Sequence, residues 1–349
     1  MKFGENSGCG KGRKMVSRLS LMALIIAVSI IVGCAENNKT VDEIVFMAGY
    51  KPQANLPFVG VYVADNNGYF EQQSLNVDIK HASSGEHVKL LLSGDIQFST
   101  SDAGSVLKQI SNSEAPLTAV ALLGQRGQQG YIALEDSKID SLTDWEGKTF
   151  GYKISIPSDY MAMMESEGVL RENIKEVSVG FDPRILTEGK VDILAVYKSN
   201  EPDTIRSLGY EVTLWDPYDY GVPTLVLTYI TTNDYANENP DVVRRFLKAT
   251  LQGIQFARDN PDAAIEIVLQ YAPETTVEHQ GFMLKTEITD AISELTDTNG
   301  LGTMTDSQWK SLYDHLMEYN ALENEFDYKN AFRSEFVDEI YESGDLVWP

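Results

Sequence analysis

From Glu43 onward, strand signals and helix signals alternate along the chain, and this limits it to an α/β fold with largely parallel sheets covered by helices. Glu43-Ile-Val-Phe-Met-Ala48 reads as a strand. Pro57 to Asn66 opens a helix with apolar Phe58, Val61, Tyr62 and Ala64, and Gly68 supplies its C-terminal stop. Asn76 to Lys80 is the next strand, and Ser83-Ser84-Gly85 leads into a helix carrying Val88, Leu91 and Leu92 that ends at Gly94. Ile96 to Ser99 is a third strand, and Asp102 heads a helix holding Val106, Leu107 and Ile110. Strands at Pro116–Leu123 and Tyr131–Leu134 flank the loop Gly124–Gly130.

Leu142-Thr-Asp-Trp-Glu-Gly-Lys-Thr-Phe-Gly151 then begins a second lobe of similar build. Its strands are expected near Thr149–Tyr152, Glu176–Val179, Val191–Val196, Glu211–Trp215 and Leu225–Ile230. Asn239-Pro240 and Asn260-Pro261 each place a capping Asn before a proline in the first helical turn. The first of these helices repeats Val243, Phe246, Leu247, Thr250, Leu251 and Ile254 at helical spacing. The expected organisation is lobe one over 43–131, lobe two over 132–228, and a return to lobe one with C-terminal helices over 229–349. The acidic helical stretch at the C-terminal end reads as packing and solvated surface. A length of 349 residues suits two lobes better than one.

Residues 1–33 read as an export signal. Lys11-Gly-Arg-Lys-Met-Val-Ser-Arg18 precedes the apolar run Leu19–Val32, which has the length of a signal core rather than of a comfortable membrane span. Met15 is an alternative start. The run ends in Ile31-Val32-Gly33-Cys34, which resembles the bacterial lipobox, where the cysteine is lipidated and becomes the mature N-terminus. Residues 34–42 then form a short tether. A lipid-anchored protein on the outer side of the cell membrane is expected, in the periplasm or at the cell exterior.

The chain holds 28 basic and 52 acidic residues, and the signal removes five of the basic and one of the acidic, leaving a net charge of −28. Nucleic acid and anionic membrane faces repel such a polyanion and are excluded as partners. At 43% hydrophobic and 10% aromatic the chain buries a real core, so disorder is excluded too. Cys9 and Cys34 are its only cysteines, which leaves the folded part no disulfide, thiolate zinc site or cysteine nucleophile. His81, His87, His279 and His315 show no metal-binding spacing, so no metal or other cofactor is expected.

Several segments, in order, resemble one family. It comprises bacterial solute-binding proteins for thiamine pyrimidine precursors, with the fungal hydroxymethylpyrimidine phosphate synthase as an enzymatic relative. The segments are Pro57–Glu71, Leu91-Leu-Ser-Gly-Asp-Ile-Gln-Phe98, Leu142–Gly151, Glu188-Gly-Lys-Val-Asp192, Asn200-Glu201-Pro202 and Asn239–Thr250, covering about Val41 to Gln270. Sulfonate- and taurine-binding proteins share a related fold. The resemblance implies a type II-like periplasmic-binding-protein fold, two lobes joined by two crossovers, with a ligand between them and closure on binding. Open parallel sheets bind ligands beyond the carboxyl ends of their strands, which points to the same place.

Tyr50 follows the first strand, where the family carries an aromatic that stacks on the ligand ring; the other reading is a core-edge tyrosine. Gln53 and Asn55, in the same loop, offer amide hydrogen bonds. In the loop Ser99-Thr-Ser-Asp-Ala103, Ser101 offers a hydroxyl, and Asp102 either accepts from an exocyclic amine or caps its helix. The fungal enzyme has a cofactor-holding lysine and a consumed histidine in this segment, where this chain has Ser99 and Ala103, and it lacks the fungal cysteine cluster as well. Synthase chemistry therefore has no equipment here, and binding is the expected function.

Glu201 reads as a carboxylate for a ligand amine or ring N–H, or as a solvated loop acid. Tyr220, with Tyr218, can line the cleft from lobe two, while Trp215 reads as core. Tyr152–Asp159 replaces the glycine-bearing phosphate loop of relatives, so an unphosphorylated ligand is expected, with Ser155 and Ser158 offering hydroxyls. Arg126 is the basic residue expected in the cleft and would matter most for a sulfonate. The leading expectation is a monomeric lipoprotein that hands a small heteroaromatic to the permease and ATPase of an ABC importer. Riboflavin and aliphatic sulfonates are the alternative ligands, and a sensory role is the alternative use.

Overall fold

The computed structural model describes Thr40–Pro349; the export signal and Cys34 lie outside the described residues, as does the tether up to residue 39. Asp42 already belongs to the first strand. Ten strands form two five-stranded sheets of matching design. In the first sheet the order is β2-β1-β3-β10-β4, from β1 (Asp42–Ala48), β2 (Leu75–His81), β3 (Phe98–Ser101), β4 (Leu117–Gly124) and β10 (Val226–Thr232). In the second it is β7-β6-β8-β5-β9, from β5 (Gln129–Leu134), β6 (Thr149–Tyr152), β7 (Lys175–Ser178), β8 (Ile193–Tyr197) and β9 (Val212–Trp215).

In each sheet four strands run in one direction, and the fourth position is filled by an antiparallel strand delivered from the other lobe: β10 in the first, β5 in the second. The crossings occupy residues 125–128 and 216–225. Antiparallel entry of the crossing strand keeps the carboxyl ends of both parallel sets facing the space between the lobes. That is where a ligand meets the most loops and helix N-termini.

The first lobe is the thicker one. Helix α1 (Leu56–Asn66) is buried on every side from Leu56 to Ala64 because it lies between the sheet and α6 (Pro240–Asp259). Glycine makes that approach possible: a Cβ at Gly253 would lie 2.2 Å from the Gly60 carbonyl oxygen. Phe98 of β3 stacks on Phe246 of α6 at 4.0 Å. On the other face, α2 (His87–Leu92), α3 (Ala103–Ser113) and a late helix, α9 (Asp306–Glu318), enclose a second apolar cluster around Leu107, Ile230 and Trp309. Helix α4 (Ser158–Ser166) and α5 (Glu201–Ser207) belong to the second lobe, whose core gathers Trp145, Phe150 and Tyr160.

Two capping expectations are corrected. Asn239 and Asn260 do precede Pro240 and Pro261, but their side chains make no bond to the following helices. Their amide nitrogens donate backward, to the carbonyls of Tyr235 and Phe256, and so close the helices before them. The C-terminal stretch packs, as expected, and part of it does so where the lobes meet. After α7 (Pro261–Tyr271), helix α8 (Val277–Ala291) buries Gln280, Met283, Leu284, Glu287 and Asp290 against the junction of the lobes. There Lys198, 4% exposed, is held between Asp216 and Asp290. The Asp290 carbonyl also accepts the Gln125 and Arg126 N–H groups at 3.0 and 3.1 Å, so one point ties both crossings together. Among the described residues no helix is long and apolar enough to cross a membrane, and no cluster of side chains is arranged to hold a metal ion.

Candidate functional site

A cavity of about 720 Å³ lies between the sheets at the carboxyl ends of the parallel strands. That is within the size range of small-molecule sites. From the first lobe, the loop after β1 contributes Tyr50, Gln53 and Asn55, and the end of β3 contributes Ser101 and Asp102. The Tyr50 ring is 55% exposed. Its backbone is fixed, because His81 Nδ1 lies 2.9 Å from the Tyr50 carbonyl and His81 Nε2 lies 3.0 Å from Tyr62 Oη. A carbonyl only accepts, so Nδ1 carries the proton and the Tyr62 hydroxyl donates to Nε2. Burial lowers the His81 pKa, in keeping with a neutral ring.

Asp102 occupies the N-cap position of α3 without bonding to the helix. Burial pushes its carboxyl up, against the Leu227 backbone, which draws it down. Asp102 lines the cavity at this point. His87 lines the same side, its pKa lowered by burial, with Nδ1 buried and without a hydrogen-bond partner among the described residues.

The second lobe contributes Lys153 after β6, Tyr197 at the end of β8, and Glu201 at the start of α5. Glu201 is 4% exposed and fully engaged: one oxygen pairs with Lys153 Nζ and the other accepts the Tyr197 N–H at 2.8 Å. Lys153 Nζ also sits 5.3 Å from the centre of the Tyr197 ring and 5.7 Å from that of Phe181. Both rings are open, Tyr197 at 47% and Phe181 at 66% exposure. The Tyr197 hydroxyl pKa is raised by burial and then by Asp102, Glu201 and Tyr50, which sets these groups around one space.

Glu287 of α8 forms the back of the cavity. Both its oxygens lie 3.1 Å from Asn55 Nδ2; one also accepts the Leu56 N–H at 2.6 Å, and the other accepts from Gln128 Nε2 at 2.7 Å and Ser199 Oγ at 3.1 Å. Burial pushes its carboxyl up to about 8, even though these donors pull the other way.

Six of the ten ligand contacts expected from sequence line this cavity: Tyr50, Gln53, Asn55, Ser101, Asp102 and Glu201. The other four do not. The Arg126 guanidinium stacks 4.3 Å over the Tyr218 ring, Ser155 is exposed on the loop beyond Lys153, Ser158 Oγ faces His315 Nε2 at 3.2 Å, and Tyr220 packs against the second lobe's core. The cation at the cleft is therefore Lys153, not Arg126. Glu201 serves that lysine and the Tyr197 backbone rather than presenting a free carboxylate. Sequence reasoning missed Lys153, Tyr197 and Glu287. Lys153 and Tyr197 carried a signal, since each directly follows or ends a parallel strand, as Tyr50 and Asp102 do.

Two α/β lobes whose parallel strands point their carboxyl ends into a shared cleft define the periplasmic-binding-protein class. Within it, the chain belongs to the NMT1/THI5-like family, whose pattern it matches over residues 55–264. It is 26% identical over 331 residues to the formylaminopyrimidine-binding protein of Halalkalibacterium halodurans, covering 90% of this chain and 98% of that one. It is 25% identical over 309 residues to the riboflavin-binding protein RibY of Chloroflexus aurantiacus, covering 85% and 87%. The crystal structure of the periplasmic aliphatic sulphonate binding protein SsuA from Escherichia coli superposes with a TM-score of 0.64 at 13% identity, over 82% of this chain and 91% of that one. That likeness shows the two-lobed fold.

Proposed function

We propose that this chain captures a small, unphosphorylated heteroaromatic of the aminopyrimidine type and delivers it to an ABC importer, held at the membrane by a lipid on Cys34. The observation that carries this reading is the pairing of open aromatic faces, Tyr50, Tyr197 and Phe181, with an uncapped acidic acceptor, Asp102, in one cavity. A flat heterocycle gains stacking from the rings, and an exocyclic amine gains a charge-assisted hydrogen bond from the carboxylate. Anionic ligands fit less well, because the cavity's lysine is already neutralised by Glu201. A synthase reading has little support: Ser99 is buried and donates to the Met47 carbonyl at 2.6 Å, and Ala103 is buried at the start of α3. The fold divides functionally at its two crossings, into a first lobe up to residue 124 with its return from 226 to 349 and a second lobe over 129–215. These bounds lie a few residues off the breaks at 131 and 228 expected from sequence, because β5 and β10 each cross into the other lobe's sheet. The protein acts as a monomer.

Riboflavin is the second reading, favoured by a cavity of about 720 Å³, which has room for a tricyclic ring. The test is thermal unfolding of the full chain with aminopyrimidine thiamine precursors, thiamine, riboflavin, taurine and alkyl sulfonates. A ligand at about a hundred times its Kd adds roughly 2.7 kcal/mol, which reads as a rise of several degrees. A shift with the aminopyrimidines alone is the expected result. A shift with riboflavin alone moves the chain to the second reading, and a shift with sulfonates alone overturns both.

A further inference from the structure

The Glu287 cluster has a consequence for which ligand edge the cavity accepts. Glu287 is reached by donors from three separate parts of the chain: the loop into α1, the first crossing, and the segment after β8. A carboxyl takes only hydrogens from amide and backbone nitrogen. The side-chain amides of Asn55 and Gln128 are thus turned with nitrogen toward Glu287. Among the described residues Asn55 Oδ1 and Gln128 Oε1 receive no side-chain or backbone donor, and both residues line the cavity. Ser199 preserves this arrangement in either charge state, because its hydroxyl can donate to an ionised carboxyl or accept the proton of a neutral one. With Asp102 on the same lobe, the polar side of the cavity therefore presents oxygen acceptors.

We infer that Glu287 is a positioning residue that sets the hydrogen-bond polarity of the cavity, orienting Asn55 and Gln128 so that their amide oxygens receive an N–H-bearing edge of the ligand. The inference rests on the heteroaromatic reading above and narrows it to rings that carry at least one amino group or ring N–H. A ligand of the same shape without such hydrogens leaves buried acceptors unpaired, which weakens binding roughly tenfold or more. Glutamine at 287 presents its own NH₂ to the two amides, and at least one of them must turn over to meet it.

The experiment is calorimetric titration of the full chain with 4-amino-5-hydroxymethyl-2-methylpyrimidine and with its 4-methoxy counterpart, which has no N–H. Wild type is expected to prefer the amino compound by at least about tenfold, and Glu287→Gln to lose most of that preference. A purely structural role for Glu287 would weaken both ligands alike, so an unchanged ratio in Glu287→Gln overturns the inference and leaves the ligand class standing. If Glu287→Gln does not fold, Gln128→Met decides the matter. It keeps the carboxyl and deletes one oriented oxygen, so a reduced ratio supports the inference and an unchanged ratio overturns it. Wild type that binds riboflavin or a sulfonate but neither pyrimidine overturns the inference and the aminopyrimidine reading together.

Discussion

On the first-lobe side of the cleft, the cavity-lining groups are held in place by hydrogen bonds. Asn55 is held by Glu287, the Tyr50 backbone by His81, and Gly49 N–H by Thr100 Oγ1 at 3.0 Å. On the second-lobe side, Tyr197 and Phe181 stand open, and their one polar support is the Lys153–Glu201 pair. The first wall is polar and tied by hydrogen bonds, and under the proposed function it discriminates by hydrogen bonding. The second is aromatic and tolerant, since stacking rewards any flat ring. A cleft that selects with one lobe and covers with the other can keep its specificity while the covering lobe moves.

The contrast can be broken most severely at the ion pair behind the second wall, Lys153–Glu201. Lys153→Met leaves Glu201 buried without its cation, and the expected cost is about 3 kcal/mol, read as a lower urea midpoint. A loss below about 1 kcal/mol would mean that Glu201 is reached by water and that the second wall is looser than described.

The first lobe can be sharpened by pH. Glu287 is pushed from its ordinary 4.5 up to about 8, so the folded chain holds this proton more tightly than the unfolded chain. Its contribution is complete below pH 4.5 and is lost as pH rises through about 8. Asp159 and Asp290, raised to about 6, have largely titrated by pH 6.5, and His315, lowered from 6.5 to about 4, adds little above that value. Between pH 6.5 and 8, wild type should therefore lose about 2 kcal/mol, at ~1.4 kcal/mol per unit, and Glu287→Gln should stay nearly flat. Paired thermal unfolding curves across that range check this. Equal slopes in the two proteins would place the titration elsewhere.

The smallest expected effect probes the open aromatics. Tyr197→Ala removes a half-exposed ring, so stability should change by no more than about 0.5 kcal/mol. Affinity for a flat heterocycle should fall roughly tenfold by titration, because a stacking face is lost. A large loss of stability with unchanged affinity would reverse the roles assigned to the two walls.

Much of this architecture was legible in the sequence. The strand at Thr149–Tyr152 falls where the sequence placed it, Tyr50 is marked by the resemblance, which carries an aromatic just past the first strand, and Asp102 by its place in the loop after the third strand. Lys153 also stands just past a strand but was passed over, because the loop was read for missing phosphate-binding glycines rather than for a cation paired with an acid 48 residues away. Glu287 was hidden by composition. It sits in an acidic helix that reads as solvated, yet Met283, Leu284 and Ala291 share its face at helical spacing, and a charge on such a stripe is the signal of a buried network. Arg126 misled for the opposite reason: a lone basic residue in a glycine-rich loop looks free until Tyr218 is seen beneath it.

If the lobes turn about their crossings on binding, as the resemblance implies, Lys198, fixed between Asp216 and Asp290, is the axle of those jaws. Displacement in a rotating body grows with distance from its axis, so groups beside the axle hardly travel while those at the rim sweep widely. Ser199 and Gln128 adjoin that post through Glu287, whereas Phe181 lies out on a loop of the second lobe. The inner groups can therefore test an incoming molecule while the jaws are still apart, and only an accepted guest need wait for the outer ring to swing over it. Selection would then be decided at entry, and the closing stroke would govern how long the cargo stays.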